Sequence, residues 1–282
     1  MIRLSDKSDI NGIIKLWKEA FGDSEREIMF FLDNRYKPEN TLVAEENGKI
    51  ASMLFLLEGE MKIDKKLYPS YYLYAACTLK EFRGRGYMAS LLAFAKDTAL
   101  KRNVDFICLL PAEESLYKFY ENHGYKPVFK KNIYTLSRNS IDDSSFSDKE
   151  SSCNPEKIRN NAFVNIDYFK WDSLSLDFAI KHNKFYGGQV VMNCEGYSLY
   201  SISNDEIYVK EITFTDNIDA VLSNLFAIHS DVNKIIVDLP VGIKTSAENY
   251  EIVNWGMALA INNNAEKILD GLKDAYLGLT LI

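Results

Sequence analysis

Residues 71–92 read Tyr71-Tyr-Leu-Tyr-Ala-Ala-Cys-Thr-Leu-Lys-Glu-Phe-Arg-Gly-Arg-Gly-Tyr-Met-Ala-Ser-Leu-Leu92, and this stretch decides the fold. The apolar run Tyr71–Cys77 predicts a strand, and Leu91, Leu92, Phe94, Ala95 and Ala99 recur at the spacing of one helical face. Between them lies a short basic turn containing Gly84 and Gly86. A strand, a glycine-bearing turn and a helix N-terminus together make a phosphate cradle. The first N–H groups of the helix lack internal acceptors, and the helix dipole favours negative charge there. Glycine lets the backbone approach a ligand with no Cβ in the way. The stretch has neither the Gly-x-x-x-x-Gly-Lys-Ser/Thr of a P-loop nor the Gly-x-Gly-x-x-Gly of a dinucleotide fold. A basic turn that only caps a helix would show the same residues.

Outward from this stretch the elements fall into an order. Ile2 and Leu4 suggest a short strand. Ile10, Ile13, Ile14, Leu16, Trp17 and Phe21 follow as an amphipathic helix, capped by Ser8 or Asp9. Gly22 to Glu25 break it, and a second helix starts there and runs to Leu32. Residues 41–57 carry a hairpin signal with Asn47-Gly48 at the turn, and a second polar turn lies around Asp64-Lys65-Lys66. On the other side, Val104–Leu110 reads as a strand ended by Pro111. Ala112–His123 has helical spacing in Leu116, Phe119, Tyr120 and His123, with Gly124 placed as its C-cap. Residues 125–136 read as an extended segment closing the domain.

The basic turn resembles motif A of the GCN5-related N-acetyltransferases (GNAT), Arg/Gln-x-x-Gly-x-Gly/Ala. The match is Arg83-x-x-Gly86-x-Met88, with Met88 where the family keeps a small residue. Phe119-Tyr120-Glu121-Asn122-His123-Gly124-Tyr125 resembles the end of motif B, Leu-Tyr-Glu-Lys-x-Gly-Phe. Two motifs in order and at about the right separation are more specific than either alone, and the element order agrees with them. The resemblance spans roughly residues 2–136. It implies an α/β (α+β) fold with a central mixed, mostly antiparallel sheet flanked by helices.

The same resemblance implies acetyl-CoA as the acetyl donor. Its pyrophosphate would sit on the N–H groups of Arg83, Gly84, Arg85, Gly86, Tyr87 and Met88. Its pantetheine arm would run along the strand past Ala76, Cys77 and Thr78. Tyr120 stands at the position whose phenol protonates the departing thiolate, and a phenol of ordinary pKa about 10 is a fit donor. As a plain core aromatic, Tyr120 would have the same helical spacing. Glu19, Glu113 and Glu114 are candidate bases by region only, and positioning of both substrates can stand in for a dedicated base. The implied activity is acetyl transfer to a primary amine of a small or medium acceptor by direct attack. A non-catalytic acyl-CoA sensor or adaptor, or an aminoacyl transferase, would share much of this sequence.

Residues 137–157 turn polar and serine-rich and read as a linker. Beyond it the chain predicts a helix over 168–181, strands over 187–191, 197–203 and 207–214, a helix over 216–229, and strands over 234–239 and 275–281. Three strands, a helix and a strand repeat the earlier order. The expected organisation is therefore a catalytic domain over 1–138, a linker over 139–158, and a degenerate copy of the fold over 159–282. In the copy, the turn Thr213-Phe-Thr-Asp-Asn-Ile-Asp219 has no glycine or arginine and two acidic residues. Charge and bulk there would repel a pyrophosphate. The tandem layout resembles the enhanced-intracellular-survival acetyltransferases, without an evident C-terminal sterol-carrier-like domain.

Composition bounds the rest. With 282 residues, 47% hydrophobic and 26% charged, the chain is globular and long enough for two domains. Its net charge of −7 argues against a nucleic-acid partner and suits an amine-bearing acceptor. No signal segment or membrane-length apolar run is evident, so a cytoplasmic protein without a membrane partner is expected, and an oligomer is allowed. Cys77, Cys108, Cys153 and Cys194 are too dispersed for a metal site and read as buried structural thiols. His123, His182 and His229 show no metal spacing either.

Overall fold

The computed structural model describes residues 1–138 and 153–280. Most of the expected linker, residues 139–152, lies outside the described residues. In chain order the first half holds β1 (Ile2–Leu4), α1 (Ile10–Phe21), α2 (Glu25–Arg35), β2 (Thr41–Glu46), β3 (Lys49–Ile63), β4 (Lys66–Thr78), α3 (Tyr87–Lys101), β5 (Phe106–Leu109), α4 (Ser115–Glu121), β6 (Lys126–Pro127) and β7 (Lys130–Ser137). The second half holds α5 (Pro155–Ala162), β8 (Tyr168–Lys170), α6 (Ser173–Phe185), β9 (Gln189–Met192), β10 (Tyr197–Ser203), β11 (Glu206–Ile212), α7 (Ile218–Ile228), β12 (Lys234–Leu239), β13 (Tyr250–Asn254), β14 (Met257–Ala260) and α8 (Asn263–Gly271).

Local chemistry sets the boundaries. Gly22 ends α1 in the left-handed region (φ 79°) and donates to the Lys18 carbonyl at 3.0 Å. Ser24 and Glu27 then form a reciprocal capping box that starts α2. The β2–β3 turn places Asn47 and Gly48 at φ 52° and 74°, both positive as its tight geometry requires. Asp64 and Lys65 do the same between β3 and β4 at φ 48° and 66°.

The chain resolves into two compact units that interleave in sequence. One comprises residues 1–60, 68–126 and 257–271, the other 61–67, 127–256 and 272–282. The sheet of the first runs β1-β2-β3-β4-β5-β14-β6, with β1/β2, β2/β3 and β5/β14 antiparallel and β4/β5 parallel. Its core joins Leu54, Leu56, Tyr71 and Leu73 from the sheet to Leu91, Leu92, Ala95 and Ala99 from α3. The sheet of the second runs β13-β7-β12-β11-β10-β9, again with one parallel pair, β11/β12. Ile207, Val209 and Val237 pack there against Val221, Leu222 and Leu225 of α7. Both sheets are mixed and flanked by helices, as the sequence implies.

Several expectations are corrected. Residues 125–136 are divided between the two sheets. They become β6, the end strand beside β14 in the first sheet, and β7, which lies between β12 and β13 in the second. The place beside β5 goes to β14, which sequence reading did not anticipate, with Leu109 opposite Met257. The helix expected over 168–181 is instead the strand β8 followed by α6. Asp172 accepts from the Ser175 N–H at 2.8 Å and so starts α6 after the buried aromatic run Tyr168, Phe169 and Trp171. Residues 275–280 form no strand, only single bridges at Ala275 and Tyr276. Cys77 and Cys108 are buried free thiols, but Cys153 and Cys194 are joined in a disulfide with Cα atoms 5.3 Å apart. A pair 41 residues apart carries no signal in one sequence. Among the described residues no helix is long and apolar enough to cross a membrane.

Candidate active site

The parallel pairing of β4 with β5 covers only Ser70, Tyr71 and Tyr72 against Phe106, Ile107 and Cys108. Three residues past Tyr72 the strand departs from regular geometry, with Ala75 at φ 47°. An unbroken strand would turn residues 73 and 75 to one face. Here Leu73 and Ala76 both pack on the α3 core, so the irregularity at Ala75 shifts the alternation by one. The consequence is a length of β4 from Ala76 to Thr78 whose edge on the β5 side has left its partner. On the other side the strand stays anchored to β3. Leu79 donates to the Ala51 carbonyl at 2.9 Å, and Ser52 bonds both the Cys77 carbonyl and the Thr78 hydroxyl at 2.8 Å.

This released edge leads directly into the basic turn. Gly84 and Gly86 take φ 75° and 80°, and Gly86 is the N-cap of α3. No atom lies within 4 Å of the point where a Cβ would stand on either glycine, so the space over the turn is open. Ser90 is the first residue of α3 to bond within the helix, donating to the Gly86 carbonyl at 3.0 Å. The N–H groups of Tyr87, Met88 and Ala89 therefore have no helical acceptor. Arg83 ties the turn back to the strand through Nε to the Thr78 carbonyl at 3.1 Å. The exposed Arg85 guanidinium lies over the Phe82 ring and 3.8 Å from Glu46. Tyr87 donates its phenolic proton to Glu46, and that bond pushes the phenol above its ordinary pKa. Glu46, at the end of β2, escaped sequence reasoning because it is 41 residues from its partner and belongs to no motif.

Tyr120 sits on α4 and is only 7% exposed, with its ring edge-on to Tyr125 at 5.5 Å. Gly124 and Tyr125 close α4. They donate to the Glu121 and Tyr120 carbonyls at 2.9 and 3.1 Å, with Gly124 at φ 87°. The Tyr120 phenol makes no hydrogen bond among the described residues, and burial pushes its pKa up to about 12. Burial pushes the thiols of Cys77 and Cys108 upward too, which suits structural thiols and not nucleophiles. Tyr74, one residue before the irregularity, stacks on Phe31 at 5.0 Å and meets Trp17 at 5.9 Å. Glu19, Glu113 and Glu114 are all exposed. The structure thus ties Arg83 to Thr78 and packs Ala76, Tyr87, Met88 and Tyr120 into one core, with Cys77 buried. It singles out none of the three carboxylates. Among the described residues no cluster of His, Cys, Asp and Glu could hold a metal.

The corresponding turn of the second unit, between β11 and α7, is filled by its own side chains. Phe214 is buried, and the Asp219 carboxylate accepts from the Ser246 N–H at 3.0 and 3.1 Å.

A released strand edge, a two-glycine turn and an uncapped helix start together make the candidate site. Residues 1–128 match the family described as acetyltransferase (GNAT) domain. No protein of curated function matches the sequence significantly. Solved structures resemble nearly the whole chain. A probable N-acyltransferase from Enterococcus faecalis V583 superposes with a TM-score of 0.74 at 14% identity, over 94% of this chain and 73% of that one. A GCN5-related N-acetyltransferase from Anabaena variabilis gives 0.70 at 13% identity, over 93% and 73%. Eis1 from Mycobacterium abscessus gives 0.67 at 13% identity, over 93% and 74%. At such identities the likeness is one of fold.

Proposed function

We propose that the chain transfers the acetyl group of acetyl-CoA to a primary amine of a small or medium acceptor, in a ternary complex without a covalent enzyme intermediate. The observation that carries this reading is the parting of β4 from β5 directly upstream of the Gly84–Gly86 turn. Backbone donors freed from a sheet can bind an amide-rich arm, and the donors of the turn and helix start can bind a pyrophosphate. Ala76, Cys77 and Thr78 would flank the arm, and Arg83 to Met88 the phosphates. The neutral amine attacks the thioester carbonyl. Its electron pair forms the C–N bond, the attacking nitrogen gives up a proton to solvent, and the tetrahedral centre collapses by breaking the C–S bond and releasing a thiolate.

Tyr120 would donate a proton to that thiolate. A phenol held near pKa 12 keeps its proton at neutral pH and enters the reaction as a donor, not a base. Full transfer to an ordinary thiolate, of pKa about 8.5, runs uphill by a few units. Its effect should therefore lie near the lower end of general-acid contributions, about 100-fold. A structurally isolated carboxylate base does not emerge, so deprotonation of the ammonium falls to solvent or to substrate positioning. The second unit, with its turn closed by Phe214 and Asp219, would carry no second cofactor site.

The test is release of free thiol from acetyl-CoA in the presence of a panel of primary amines. Amine-dependent release supports the transferase. Tight CoA binding with no release for any amine would transfer the reading to an acyl-CoA sensor.

A further inference from the structure

Ser52 on β3 is fully buried, between the buried apolar residues Ala51 and Met53. A hydroxyl there costs desolvation that alanine would not, so its bonds call for an explanation. Ser52 Oγ lies 2.8 Å from the Cys77 carbonyl and 2.8 Å from the Thr78 hydroxyl. A serine hydroxyl has one proton. It goes to the Cys77 carbonyl, so the Thr78 hydroxyl is the donor in the second bond.

These bonds set the direction of one peptide group. β3 and β4 are joined by the short turn at Asp64 and Lys65 and so run antiparallel. Leu79 donates to the Ala51 carbonyl of β3 at 2.9 Å. Thr78, one residue earlier, therefore turns its own N–H and C=O away from β3. The Arg83 Nε that bonds the Thr78 carbonyl at 3.1 Å approaches from that other side. The Cys77 carbonyl and the Thr78 N–H belong to one trans peptide and point in opposite directions. Holding the carbonyl towards Ser52 thus holds the Thr78 N–H towards the edge that β5 has left. The β5 pairing that would steady this peptide from the far side ends at Tyr72. The next peptide, Thr78–Leu79, is held separately, by Ala51 and Arg83.

We infer that Ser52 is a positioning residue for the acetyl donor. Its hydroxyl fixes the Cys77–Thr78 peptide so that the Thr78 N–H meets a carbonyl of the donor's amide-rich arm. This rests on the acetyl-CoA reading of the site. Ser52 itself touches no ligand. Its effect falls on the arm and not on the nucleotide, because the Arg83–Met88 turn is tied to β4 through the other peptide.

The experiment is calorimetry of acetyl-CoA and of its armless nucleotide half, 3′-phospho-ADP, on the native chain, Ser52→Ala, Ser52→Cys and Ser52→Thr, each checked by circular dichroism. Ser52→Ala should weaken acetyl-CoA about tenfold and leave 3′-phospho-ADP within about twofold. Ser52→Cys, close to serine in size but a weak donor, should act in the same direction. Ser52→Thr, which keeps the hydroxyl, should restore most of the affinity. Native acetyl-CoA affinity in both Ser52→Ala and Ser52→Cys, or a parallel loss of both ligands, would overturn the inference. Failure of the native chain to bind acetyl-CoA would instead remove the cofactor reading, and this inference with it.

Discussion

Gly86 holds two requirements in one residue. Its φ of 80° suits glycine, and the open space above it is where an anion would approach the helix start. Gly86→Glu should therefore destroy acetyl-CoA binding, about 100-fold or more by calorimetry, while the strain of a side chain at positive φ costs only about 1 kcal/mol. Unchanged affinity with native circular dichroism would remove the cofactor assignment. Tyr120 makes a separate prediction. Tyr120→Phe keeps the ring packed on Tyr125 and deletes only the hydroxyl. It should lower kcat about 100-fold and leave the KM for acetyl-CoA within about twofold. A fall in stability with kcat intact would instead make Tyr120 a core residue.

Elements in this protein are tied by a few buried charges. Arg3 on β1 donates to both Asp9 carboxylate oxygens, at 2.6 and 2.8 Å, and to Glu45 on β2 at 2.8 Å. Its guanidinium holds the Asp9 carboxyl below the usual carboxylate range. A group depressed in the folded state stabilises above its unfolded pKa of about 3.9, and that contribution is lost as pH falls through the lower, folded value. Urea midpoints of the native chain should thus fall below about pH 4, and Asp9→Asn should blunt that fall while costing about 1–3 kcal/mol at pH 7. Parallel midpoint curves for the two proteins would refute the linkage. The pair of Arg159 on α5 and Glu211 on β11 is more deeply buried, both side chains being at most 1% exposed. Arg159→Met alone should cost about 3–5 kcal/mol, measured by chemical unfolding, because Glu211 is left charged and dry. What was legible at this scale was local. The Asn47-Gly48 hairpin, the break at Gly22–Glu25, β12 and the basic turn follow from neighbours in sequence. The irregularity at Ala75 was not legible, since alanine in an apolar run marks nothing. Neither was Glu46, which acts through a partner on a different element.

At the scale of the molecule, two sheets of similar plan each contain one parallel pair bridged by a helix, α3 in one and α7 in the other. That repeat was readable from the order of elements. Which sheet receives β7 and β14 was not, because neither the largely polar β7 nor the short apolar β14 carries a mark of the sheet edge it joins. The Cys153–Cys194 link was equally silent in sequence. It predicts two reactive thiols of the four in denatured, unreduced protein, and a loss of about 2–4 kcal/mol in unfolding free energy on reduction. Four reactive thiols would contradict it. The exchange of strands has its own consequence for a chain made from one end to the other. The putting-together of the first unit waits for β14, because Leu109 has no neighbour on that edge until Met257 has left the ribosome. A nascent chain halted at residue 256 would expose β5 as a bare, apolar edge. Synthesis must therefore carry an unfinished first unit through the making of nearly the whole second unit.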